Sequence, residues 1–157
     1  MELWVLLHVA TAFWFVAGLV GRDLSLARAR GASDISVVRT LADLAGVFDR
    51  FMVTPGSVAV LLLGFATALS QGRSFTGNGD RWMIASLLLY LSIAPLIPLV
   101  YIPKGKAFDA ALASAEARRE VTAELTAAFS DRAVRATRMY ERLVVALIIV
   151  LIVTQPF

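Results

Sequence analysis

The stretch LWVLLHVATAFWFVAGLVG, Leu3 to Gly21, holds no charged side chain. A helix that crosses the roughly 30 Å hydrocarbon core of a bilayer needs about 20 mainly apolar residues. Two further stretches meet that requirement, Phe51 to Leu69 and Trp82 to Ile102. A fourth, Leu143 to Phe157, is short, and Met139 and Tyr140 extend it. The chain is 59% hydrophobic and 17% charged. An ordinary soluble domain is about half apolar and a quarter charged. Because the charges are gathered between the apolar runs, lipid is the expected solvent.

These runs predict an all-α, polytopic membrane protein. A single domain over residues 1–157 forms a four-helix transmembrane bundle, with spans near 3–21, 51–69, 82–102 and 140–157. The segment before the first span has no Lys or Arg. The first loop carries Arg22, Arg28, Arg30, Arg39 and Arg50, and the third carries Lys104, Lys106, Arg118, Arg119, Arg132, Arg135 and Arg138. The second has Arg73 and Arg81. Positive loops stay inside, so both termini are expected outside, in a bacterial inner membrane. The first span lacks a basic leading region and reads as a span, not a cleaved signal.

The inside loops carry helical patterns of their own. Ser33 or Asp34 can cap a helix. Ile35, Val38, Leu41, Ala42, Ala45, Phe48 and Met52 then recur at helical spacing, so the helix is expected to run on into the second span, with Pro55 as a kink. Phe108, Ala111, Leu112 and Ala115 form one stripe in the third loop, and Val121, Leu125, Ala128 and Phe129 another. These predict cytoplasmic amphipathic extensions or a solvated helical connector. Ala17 with Gly21, and Gly64 with Ala68, are small-residue pairs that let helices approach closely in lipid.

Much chemistry is excluded. There is no cysteine, so disulfides and thiolate sites are absent, and one histidine cannot build a multi-imidazole metal site. No nucleophile–base pair and no catalytically spaced carboxylates stand out, which points away from an enzyme. A net charge of +3, with the basic residues beside apolar segments, suits membrane orientation and not nucleic-acid binding. The expected partners are the lipid bilayer, other membrane proteins or further copies of the chain.

The lone imidazole, His8, lies inside the first span, on one helical face with Thr11, Ala12, Phe15, Gly18 and Arg22. A polar residue inside a span normally faces the bundle interior. One reading makes His8 the axial ligand of a b-type haem, with Thr11 beside it and Met83 as the candidate second ligand. The plainer reading is a hydrogen bond to another helix, for which Thr154 and Gln155 are suitable. At the inner boundary, Arg22, Asp49, Arg50, Glu141 and Arg142 form an expected polar collar. It reads either as ion pairs that fix helix register or as a site for a carboxylate-bearing ligand. Arg50 with Glu141 is one expected pair. Pro95 and Pro98 should interrupt the third span.

His8 followed by FWFVAGL and an arginine resembles the start of the HemJ-type protoporphyrinogen oxidases. The run DRFMVTPGSVAVLLLGFATAL, Trp82 and the apolar tail ending in Gln155-Pro156-Phe157 are similar to their later segments. The lysine that follows the family's tryptophan is missing here, where Trp82 leads into Met83, Ile84, Ala85 and Ser86. The long inside loop also differs. In these respects the chain looks closer to an uncharacterised bacterial family of predicted integral membrane proteins, similar in layout to HemJ and to CopD-like membrane domains. The resemblance implies this fold and haem or porphyrin at His8, in electron transfer or tetrapyrrole handling. A non-catalytic accessory subunit is the alternative, and a protoporphyrinogen oxidase is a third.

Overall fold

A computed structural model describes residues 3–73 and 80–156. Among these residues it contains helices and no strand. Helix α1, Leu3–Gly31, has no proline, and after Arg22 its residues are still good helix formers. At 1.5 Å per residue it is about 43 Å long, more than the hydrocarbon core requires. The helix therefore runs well past Gly21, where hydropathy alone ends the span. Arg28 and Arg30 occupy its last turn, where positive charge complements the helix dipole.

Asp34 caps α2, Ile35–Phe48, by accepting the Ser36 backbone N–H at 2.8 Å. The helix then widens into a π-turn over Asp49–Val53, in which the Thr54 N–H reaches the Asp49 carbonyl. It continues as α3, Thr54–Ser70. The expected run from loop into span is thus present, and the irregularity takes the form of a widened turn just before Pro55. Proline has no N–H and its ring crowds the preceding turn, so regular α bonding cannot pass through it.

Packing divides the chain into two units, Met1–Arg73 with Arg118–Val121, and Ser74–Ala117 with Thr122–Phe157. In the first, α1 runs antiparallel to α2 and α3 along a seam of close approaches. A Cβ placed on Gly18 would lie 2.6 Å from the Met52 Cβ, and one on Gly21 would lie 2.6 Å from the Phe48 ring. Further along, a Cβ on Gly56 would lie 3.1 Å from the Phe15 Cβ. The notch that receives the π-turn is therefore Gly18 with Gly21, while Ala17 of the expected pair is exposed.

In the second unit, α4 covers Arg81–Ile93. Tight bonds from Ala94 N–H to Leu91 O and from Ile97 N–H to Ala94 O follow, and then a π-turn over Ile97–Tyr101. Pro95 and Pro98 fall in this interruption, as their missing donors require. Helix α5, Ile102–Arg118, leads to α6, Ala123–Phe129, and α7, Arg132–Thr154, which packs on α4. Leu112, Ala115 and Leu125 are buried, and Phe108 meets Phe129 edge to face at 5.0 Å. Both sequence stripes thus contribute packed residues.

Among the described residues, three helical stretches are long and apolar enough to cross a bilayer: Leu3–Gly31, Ile35–Ser70 and Arg81–Arg118. Helix α7 is not among them, since the apolar part of this helix begins only after Arg138, Glu141 and Arg142. The fourth span expected at 140–157 is correspondingly less complete than the other three.

Candidate functional site

His8 belongs to the first unit, where α1 crosses α3. Its Cε1 lies 3.2 Å and its Nδ1 3.6 Å from the position a Cβ on Gly64 would take. Any side chain larger than hydrogen at Gly64 would press on the ring. Its Nδ1 is shut off from solvent and makes no hydrogen bond of good geometry, although the ring approaches the Val60 backbone. On α3, Val60, Gly64 and Thr67 lie at offsets of four and seven residues, one helical stripe. Thr67 contributes a second buried atom without a hydrogen-bond partner, Oγ1. Sequence reasoning missed both Gly64 as the seat of His8 and Thr67. The helical spacing was visible, but the register between α1 and α3 was not. Thr11 is half-buried on α1, one turn from His8. Met83 is buried in the second unit, near the start of α4.

At the other end of α1, Arg22 is only 4% exposed. Its Nε donates to Asp23 at 3.1 Å, and its Nη1 donates to Asp49 at 3.3 Å. Asp49 opens the π-turn, so the widened turn and the buried cation are joined at one residue. The Asp49 side chain is 48% exposed, and solvent screening limits this pair to about 1 kcal/mol. The structure thus brings together two of the five expected collar residues within this unit. Arg50, also in the π-turn, is exposed.

In the second unit Glu141 is 6% exposed, and its Oε2 accepts the Tyr101 hydroxyl at 3.0 Å. Next to it on α7, the Tyr140 hydroxyl shares a 2.7 Å hydrogen bond with Ser92 Oγ. Arg142 is exposed. Tyr101 was not singled out from the sequence, because the proline-interrupted turn that aims it at α7 has no simple sequence period. Among the described residues, Arg22 in one unit and Glu141 in the other are buried charged side chains, each bonded to a residue of a π-turn.

Long apolar helices with buried ionisable groups near their ends, and one imidazole set between two of them, define a polytopic helical membrane protein. The chain belongs to the family described as predicted integral membrane protein (DUF2269), whose model matches residues 2–156. Comparison with the curated proteins and with the solved structures gives no match.

Proposed function

We propose that this protein is a bacterial inner-membrane protein with four spans and both termini outside, and that it binds a b-type haem or related porphyrin through His8. Its role is then electron transfer or tetrapyrrole handling. The observation that supports this is the seat of His8: an imidazole inside a span, laid on a glycine, with Nδ1 enclosed and without a hydrogen bond. An iron-ligating imidazole uses one ring nitrogen for the metal and turns the other toward an oxygen acceptor. Here Nδ1 faces the backbone of α3, which leaves Nε2 for iron. Thr11 flanks the ring on α1. Haem, when bound, supplies one-electron chemistry. What the chain itself supplies is the orientation of the ring and a medium from which water is largely excluded.

Visible absorption of protein expressed with haem tests this. A Soret band is expected, and it should be lost in His8→Ala. It should also be lost in Gly64→Val, which keeps the histidine but occupies the space of its ring. Absence of the band in the unaltered protein, or its survival in His8→Ala, overturns the reading.

A second reading, an accessory subunit of a larger membrane complex, has its own support. Helices α1 and α2 extend beyond the length lipid covers, and Leu24, Val37, Leu44 and Val47 are exposed on that extension. A tightly copurifying membrane protein, with no Soret band, would favour it.

A further inference from the structure

Several hydroxyls on these helices are satisfied on the backbone one turn back. Ser25 donates to Gly21 O at 2.8 Å, Thr40 to Ser36 O at 2.9 Å, Ser70 to Thr67 O at 2.9 Å and Thr154 to Val150 O at 2.9 Å. This local bond is the default for a helical Ser or Thr with no better partner. Thr67 Oγ1 departs from it: it is buried and makes neither that bond nor another. Three residues before it on the same stripe is Gly64, and on Gly64 lies the His8 ring with its own enclosed Nδ1. Two buried polar atoms without a hydrogen bond of good geometry thus belong to residues that meet α3 at positions about one helical turn apart, Gly64 and Thr67. Each such atom left unmet carries the full cost of its desolvation. A buried water typically makes about three hydrogen bonds to polar groups of this kind.

We infer that a water molecule is held in the α1–α3 seam between His8 Nδ1 and Thr67 Oγ1, which makes Thr67 a positioning residue for His8. The water accepts the Nδ1–H proton in a hydrogen bond and donates to the Thr67 oxygen. Its consequence for iron rests on the haem reading above. With Nε2 on the metal, Nδ1 carries the proton and needs an acceptor, and the bridge fixes both tautomer and ring rotation. The bridge itself does not depend on haem.

Thr67→Val keeps the shape of the side chain and removes the hydroxyl. In the haem-free protein in detergent, Thr67→Val should lower Tm, and a double-mutant cycle with His8→Phe should show coupling. Thr67→Ser should recover part of the loss. If Thr67→Val leaves Tm unchanged or raises it, with no coupling to His8, the hydroxyl holds nothing and the inference is overturned. In the haem-loaded protein, Thr67→Val should weaken haem affinity about tenfold or more, the usual effect of losing a ligand's supporting hydrogen bond, and Thr67→Ser should restore it. Should the unaltered protein take up no haem, the reading of His8 as an iron ligand fails, and the Tm arm still decides the water.

Discussion

A methyl group at Gly21 would lie 2.6 Å from the Phe48 ring, against a side chain that itself packs beside the π-turn. Overpacking of this kind typically costs 1–3 kcal/mol. Gly31 offers the contrast within the same helix, since a Cβ there would meet nothing within 4 Å. Gly21→Ala should therefore lower Tm in detergent, while Gly31→Ala should raise it, by up to about 1 kcal/mol from reduced backbone freedom in the unfolded chain. Equal effects would mean that α1 does not approach α2 in this register. The sequence showed that small residues gather on α1, yet Gly18 and Gly21, not Ala17 and Gly21, meet the facing helix. A three-residue and a four-residue spacing both lie on one helical face, so spacing alone cannot choose between them. The same ambiguity hid Gly64 as the seat of His8.

One helix start outside the apolar spans was legible from the side chain that caps it. Ser33 or Asp34 was expected to cap α2, and Asp34 does so. Asp131 opens α7, accepting the Val134 N–H at 3.1 Å and the Lys104 ammonium at 2.8 Å. The Lys104 hydrogen bond, with the Val134 N–H, holds the Asp131 carboxyl below the usual carboxylate range. The Ser36 hydroxyl and N–H do the same for Asp34. A carboxyl whose folded value lies below its unfolded value stabilises the fold above the ordinary range, near pH 4, and that contribution is lost as pH falls through the lowered value. Thermal stability should hold from neutral pH to about pH 5 and decline below it. Asp131→Asn should lower Tm at neutral pH and flatten the acid decline. An acid limb identical to that of the unaltered protein would show that Asp131 contributes nothing to it. The π-turns were legible only as prolines. Pro55, Pro95 and Pro98 forbid regular bonding, but whether the chain answers with a bend, a tight turn or a widened one depends on what it packs against.

The absence of cysteine makes the membrane topology open to direct measurement. Single cysteines at Ala32→Cys and Gln155→Cys should react with membrane-impermeant maleimides from opposite sides: Ala32→Cys from inside, Gln155→Cys from outside. Reaction of both from inside would mean that α7 does not cross, which would leave three spans and place the C-terminus inside. The question turns on α7 because its apolar portion is preceded by Arg138, Glu141 and Arg142. Glu141 is buried beside Tyr101, and this removes part of the penalty for a charge near the membrane.

What the sequence settled alone is the solvent and the class of structure. Long uncharged runs cannot be covered by a chain this short except with lipid, and in lipid every backbone N–H and C=O must be met within the helix. Partners were decided only in three dimensions: Arg22 with Asp49, Tyr101 with Glu141, His8 on Gly64. Helix period limits which residues share a face, but the sliding and rotation of one helix against another are set by side-chain volume at the seam. That volume, a notch at Gly18 and Gly21 and a widened turn opposite, exists only once the helices are packed.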